Sequence, residues 1–258
     1  MGLLDGKTIL VTGIANRWSI ATGIARQMHA HGARLVLTFQ GERVEDAVRK
    51  EAAQLGGAPV FQCDVTDESS LQALAAAAGR IDGLVHSMAF TKKEDLAGKV
   101  YTTSRDGFAV AMDISAYSLI TLVGHLADNL NDGGSVMAMT YLGATQIVPN
   151  YNVQGIAKAA LESAIRYLAF DLGERGIRVN AISAGPISTA SSRQVAGFSK
   201  MPAKVAAVSP LRRNVTAEDV GNVAVFLASD LSTQVTADVH FVDAGYHAMG
   251  MYPETAQS

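Results

Sequence analysis

The chain holds a single cysteine, Cys63, among 258 residues. It can form no internal disulfide and has no second thiolate for a cysteine metal site, which fits a reducing compartment. Histidine offers no substitute. His29 and His31 lie two apart on a helix-like segment and do not face each other, and no H-E-x-x-H occurs, so no metal centre is expected. A basic excess is also missing: 21 Lys and Arg stand against 24 Asp and Glu, a net charge of -3, which leaves no cationic footprint for nucleic acid. No uninterrupted apolar run approaches the roughly 20 residues of a membrane span. The opening "MGLLDGKTILVTG" carries an acid and runs straight into a strand pattern, unlike a secretion signal. Gly6 stands where a myristoylation signal needs Ser or Thr. Linkers, internal repeats and long charge runs are absent too. A cytoplasmic protein with no membrane and no nucleic-acid partner is the expectation.

What is present is core-forming residue: 48% of the chain is hydrophobic, enough for one α/β domain over residues 1–258. Short runs rich in apolar and β-branched residues recur, namely "KTILVTG", "ARLVLTFQ", "APVFQCDV", "GLVHSMAF", "SVMAMTYL", "RVNAISAG" and "VHFVDAG". Longer helix-like segments separate them, at 19–31, 42–55, 67–78, 105–130, 152–174 and 216–230, with Asp67 and Thr216 as N-caps. Strands alternating with helices imply βαβ units, and unbroken apolar strands imply burial on both faces. The expected fold is therefore a single doubly wound Rossmann-type domain, a seven-stranded parallel sheet with helices on both faces. Segment 188–204, small, polar and weakly periodic, breaks the alternation and reads as a loop covering the substrate. The tail 253–258 reads as loose.

"ILVTGIANRWSIATGIARQM" reads as strand, turn and helix, with Gly13 leaving the strand and Ser19 near the helix start. Ligands on such sheets sit at the carboxyl ends of the strands, where helix N-terminal amides favour a pyrophosphate. The spacing is not a standard G-x-G-x-x-G, so the motif alone also fits a plain strand-to-helix turn. Gln40 ends the second strand where a ribose-binding acid usually lies, and Asp64 and Val65 end the third where an adenine edge can be read. With Glu42 nearby and only Arg43 to meet a phosphate, the sequence favours NADH over NADPH. Tyr151 and Lys158 are seven apart in "PNYNVQGIAK", close to two helical turns and so on one face. Taken alone, such a pair is more often a core tyrosine with a solvated lysine.

Together these stretches resemble the short-chain dehydrogenase/reductase superfamily and, within it, the NADH-dependent enoyl-acyl-carrier-protein reductases. The resemblance spans nearly the whole chain, through "GIANRWSIATGIA", "QCDV", "HSMAF", "DISAYS", "YLGATQIVPNYNVQGIAKAALE", "RVNAISAGPI" and "TAEDVGNVAVFLASD". Carbonyl-reducing members carry a serine thirteen residues before the catalytic tyrosine; here that position is Ala138, followed by Thr140 and Tyr141. Gly185-Pro186 and Ser87-Met88-Ala89 likewise follow the enoyl reductases, whereas Asp243-Ala244-Gly245 departs from the common Asp-Gly-Gly.

The resemblance implies roles. Tyr151 would hydrogen-bond the thioester carbonyl, Lys158 the nicotinamide ribose, and Tyr141 would line the acyl pocket, as proton donor or as packing. Gly13, Ser19 and Ile20 would meet the pyrophosphate, Gln40, Asp64 and Val65 the adenosine half, Ser87 the ribose, and the Ile187 backbone the carboxamide. Phe198 and Met201 would lie in the loop that closes over the acyl chain. The implied partners are acyl-carrier protein bearing an enoyl thioester and three further copies of the chain in a homotetramer. A 3-oxoacyl reductase and a non-catalytic NAD sensor remain the alternatives. The chemistry as implied needs a donor at the developing enolate oxygen and no base, which explains Ala138.

Overall fold

A computed structural model describes residues 2–190 and 192–251; the expected loose tail lies outside the described residues. Seven strands form one sheet: β1 (Thr8–Val11), β2 (Arg34–Phe39), β3 (Val60–Gln62), β4 (Ile81–His86), β5 (Leu130–Thr140), β6 (Arg178–Ala184) and β7 (Val239–Val242). All neighbours pair in parallel, in the order β3-β2-β1-β4-β5-β6-β7. This is the expected doubly wound sheet. β6 is buried throughout and β4 at every residue but Asp82, while the edges β3 and β7 are only partly covered. Two-sided burial is what the unbroken apolar runs of the inner strands encode.

The helices are α1 (Ile20–Ala30), α2 (Glu42–Gln54), α3 (Glu68–Ala78), α4 (Lys93–Leu96), α5 (Arg105–Met112), α6 (Ser118–Leu126), α7 (Asn152–Gly173), α8 (Met201–Val208) and α9 (Ala217–Ala228). Strand alternation divides the core. Ile9, Val11 and Leu37 face Ile24 and Met28 of α1 and Val220 and Leu227 of α9, whereas Leu10, Leu84 and Val136 face Leu74 of α3, Leu122 of α6 and Leu161 of α7. Both expected caps form. Asp67 accepts from Ser69 N at 2.9 Å, and Thr216 and Asp219 cap α9 reciprocally.

Several features differ from the sequence reading. The helix expected over 105–130 passes through a π-helical turn at Asp113–Tyr117 and ends at Leu126; β5 has begun by Leu130, several residues before its apolar run, with a register break opposite Ile81/Gly83. The four-residue α4 has too few turns to show a period. Among its described residues, segment 188–204 carries short 3-10 turns at Ser192–Gln194 and Phe198–Lys200, and its last four residues belong to α8, where Pro202 sits in the first turn and its missing N–H is no loss. Finally, although the sequence has no uninterrupted apolar run of span length, Arg105–Leu126 is 22 residues of continuous helix containing an 18-residue window of mean hydropathy 1.5, which meets a membrane span's length and composition. Its Leu119, Leu122, Val123 and Leu126 are buried in the core beneath β4 and β5, so packing on the sheet accounts for them.

Candidate active site

Strand order places the crevice. Chain progression reverses between β1 and β4, and ligands of open α/β sheets bind outside the carboxyl ends of the strands at such a switch. Gly13 leaves β1 at φ +85°, and a Cβ built there would lie 2.0 Å from the Ser87 carbonyl oxygen at the end of β4. Only glycine lets these two strand ends approach. Gly13→Ala is expected to lower stability by about 2–3 kcal/mol, read as a shift in denaturant midpoint. Beyond Gly13 the turn braces itself: Ser19 Oγ accepts from the N–H groups of Ala15 and Asn16, each at 3.2 Å, and Thr22 Oγ1 donates to the Asn16 carbonyl at 2.7 Å. No side chain caps α1. The Thr22 N–H donates to the Ser19 carbonyl at 3.0 Å, which leaves the Ile20 and Ala21 amides for an anion, and the residues fit a dinucleotide pyrophosphate.

Gly13, Ser19, Ile20, Ser87, Tyr141, Tyr151, Lys158 and Ile187 line one cleft of about 250 Å³. Gln40, Asp64 and Val65 do not line it. Gln40 is exposed just past β2, where its carbonyl accepts from Gln62 Nε2 at 3.3 Å, and Asp64 lies past β3 with Oδ1 accepting from Thr66 Oγ1 at 2.7 Å. Val65 is half-buried against the core. All three sit on the β2–β3 side of the switch, the side an adenosine would occupy.

Tyr151 immediately precedes α7 and is held from both sides. Asn150 (φ 65°) and Asn152 (φ 35°) occupy left-handed backbone that Asn tolerates better than most residues. Asn150 Nδ2 donates to the Ala196 carbonyl at 3.1 Å and Asn152 Nδ2 to the Leu96 carbonyl at 3.0 Å. The Tyr151 and Tyr141 rings meet edge to face, centroids 5.0 Å apart at 70°. Tyr141 Oη donates to Met201 Sδ at 3.4 Å, which ties the end of β5 to the covering segment. Burial pushes both phenols up, Tyr141 to about 12 with the Asp243 charge adding to it, and Tyr151 further, with Tyr141 adding to it. Both stay protonated at neutral pH and serve as donors.

Lys158, two turns along α7, is 5% exposed, and its Nζ donates to the Met139 carbonyl at 2.7 Å. Burial lowers its pKa to about 8, with Glu162 one turn further opposing the shift. The ammonium has three N–H groups and one protein acceptor among the described residues, so two remain for a ligand. A buried histidine nearby does not compete: burial, then the Lys158 charge, depresses His86 to about 3.

The sequence profile described as "Enoyl-(Acyl carrier protein) reductase" matches residues 13–247. The chain belongs to the enoyl-(acyl carrier protein) reductase family. A Rhizobium meliloti relative, "Enoyl-[acyl-carrier-protein] reductase [NADH] 1", is 47% identical over 97% of this chain and 93% of the relative. The Escherichia coli "Enoyl-[acyl-carrier-protein] reductase [NADH] FabI" is 46% identical over 97% and 98%. The Bacillus cereus enoyl-acyl carrier protein reductase, solved with NADP+ and indole naphthyridinone, superposes with TM-score 0.95 at 47% identity over 97% of this chain and 100% of that one. The Anaplasma phagocytophilum enzyme, solved with NAD, gives 0.93 at 39% identity over 100% and 98%.

Within this reductase family chain, several departures from the wider superfamily acquire positions. Ala138 is fully buried in the core against Leu161's cluster and offers no donor. Thr140, the next hydroxyl, donates to Glu162 Oε1 at 2.7 Å and is thereby occupied. Ala244, where the superfamily has glycine, lies at φ 58°, so the reductase keeps the left-handed turn at a small steric cost. Sequence reasoning missed Gln154, a buried cleft residue three after Tyr151; its signal was a polar side chain on the face of α7 that carries Tyr151 and Lys158.

Proposed function

We infer that the protein reduces trans-2-enoyl thioesters of acyl-carrier protein to saturated acyl thioesters with NADH, the last step of the fatty-acid elongation cycle. The observation that carries this reading is a protonated phenol and a buried ammonium, Tyr151 and Lys158, on one face of α7 beside a position, Ala138, with no hydroxyl. When bound there, NADH would supply the hydride for the substrate's β-carbon. Negative charge then develops on the thioester oxygen, where Tyr151 donates its hydrogen bond, and the resulting enolate takes a proton from solvent at the α-carbon to give the saturated thioester. Lys158 holds the nicotinamide ribose through its two remaining N–H groups, and its charge favours anionic character near Tyr151. Gly13, Ser19 and Ile20 seat the pyrophosphate, Gln40, Asp64 and Val65 the adenosine, Ser87 the ribose and Ile187 the carboxamide. Tyr141, Phe198 and Met201 enclose the acyl chain, with segment 188–204 as cover, and the whole chain acts as one reductase domain.

The test is NADH oxidation with a trans-2-enoyl thioester run beside a 3-oxoacyl thioester of equal chain length. Turnover of the enoyl substrate alone is expected; turnover of only the 3-oxo substrate would overturn the reading. NADH should exceed NADPH by about tenfold in kcat/KM, because the exposed Glu42 opposes a 2′-phosphate. Arg49 gives no relief, since it pairs with Glu45 at 2.7 Å.

A cytoplasmic homotetramer is part of the same proposal. Phe108, Tyr117 and Ile120 on α5–α6, and Ile156, Tyr167 and Phe170 on α7, are exposed, Phe170 to 84%. Large apolar side chains in that density suit an interface between copies. Light scattering should return four times the chain mass, and a clean monomer would contradict it.

A further inference from the structure

Four buried side-chain atoms lack a hydrogen-bond partner among the described residues: His86 Nδ1, Gln154 Nε2, Asn214 Oδ1 and His240 Nε2. Only Gln154 also lines the cleft. A buried donor left unpaired costs about 1–3 kcal/mol, so its retention calls for an acceptor that it engages when the enzyme works. The rest of the side chain is well held. Gln154 Oε1 accepts from Thr91 Oγ1 and lies 3.4 Å from Ser115 Oγ. Ser115 is itself anchored, accepting from Phe90 N at 3.0 Å. The carbonyl end is pinned to the segment after β4, and the amide nitrogen is left without a partner in a side chain that lines the cleft. Its backbone N–H bonds the Tyr151 carbonyl at 3.0 Å, one helical turn back, so the two side chains are neighbours on one face. The Gln154 side chain also draws the Tyr151 ionisation down, against burial and Tyr141, which raise it.

We propose that Gln154 is a positioning residue for the reduction: its Nε2–H donates to a lone pair of Tyr151 Oη, aiming the phenolic proton at the thioester oxygen. The proposal rests on the enoyl reductase reading. As charge builds on the substrate oxygen it is shared through the hydrogen bond with Tyr151 Oη, and a fixed donor on the far side of that oxygen strengthens the bond as the reaction proceeds. The effect is made in the transition state, so it belongs to kcat and not to KM.

A double-mutant cycle in kcat tests it. Gln154→Met, close in volume and without polar atoms, should lower kcat about tenfold with KM for the thioester and Kd for NADH within about twofold of wild type. In a Tyr151→Phe background the same change should cost nothing, because the atom it acts on is gone. Since Gln154→Met strands the Thr91 hydroxyl, the cycle is repeated with Thr91→Val and Gln154→Met together, which removes both partners. Equal costs with and without the Tyr151 hydroxyl, or no cost in either, would overturn the proposal. Failure of the underlying reading is separable: the unaltered protein would then not turn over the enoyl thioester at all.

Discussion

Lys158→Met should lower kcat/KM for NADH by about three orders of magnitude while leaving the folded protein intact. The Lys158 ammonium gives one of its three N–H groups to the Met139 carbonyl, at 2.7 Å. The two remaining would bond ribose hydroxyls from a charged donor, at about 1.5–3 kcal/mol each. Losing both at about 2 kcal/mol apiece is about 4 kcal/mol, or about 10³-fold. Methionine fills similar space and ends the cost of burying a charge, so Tm should move only by a few degrees. The pH profile separates this role from simple packing. In the free protein the Lys158 pKa is lowered from 10.5 to about 8 by burial, and kcat/KM reports free-enzyme ionisations. It should therefore fall as pH rises through about 8 in the wild type and be flat there in the variant. Stability runs the other way. Between about pH 8 and 10.5 the unfolded chain binds the proton that the folded chain has released, so this group makes folding more favourable as pH rises across that window. A wild-type kcat/KM for NADH that is level to pH 9.5 would contradict the account.

Lys158 also marks what could be read without coordinates. Its spacing from Tyr151 needed only the helical period, and the strands were readable because inner strands of a parallel sheet are buried on both faces and so are mostly apolar. Asp67 and Thr216 announced their helices because capping chemistry is local. Contacts set by strand register were not readable. Gly13 meets the Ser87 carbonyl only because Val11 pairs with Val85 across β1 and β4, a relation between segments more than seventy residues apart. Competition for a hydroxyl is equally invisible: Thr140 reads as a donor, but Glu162 takes it. The irregular start of β5 and the π-helical turn at 113–117 follow from packing, which overrides the propensity that predicts one long helix. The left-handed pair flanking Tyr151 was present as "NYN", although nothing local required φ of 65° and 35°; side-chain bonds to Ala196 and Leu96 from distant segments hold it there.

Those clamps bear on the second large effect. Tyr151→Phe should lower kcat about 10²-fold and kcat/KM for the enoyl thioester equally, with NADH affinity unchanged. Removing one preorganised donor from a developing oxyanion costs about 10²–10³. The lower end is expected because Tyr141 stands edge-on to the same ring at 5.0 Å as a second phenol. Equal losses in kcat and kcat/KM are the mark of an interaction made in the transition state alone. Tyr141→Phe provides the contrast. Its hydroxyl is directed to Met201 Sδ, a weak acceptor at the start of α8 within the covering segment, so it should cost less than about tenfold and act mainly on KM for longer acyl chains. Because burial raises both phenols above their usual range, neither ionises at neutral pH. The kcat of the wild type and of Tyr141→Phe should then be free of a tyrosine ionisation between pH 6 and 9. If Tyr141→Phe instead carries the 10²-fold loss and Tyr151→Phe is mild, the donor assignment reverses, and the clamped backbone at 150–152 serves the cover and not the chemistry.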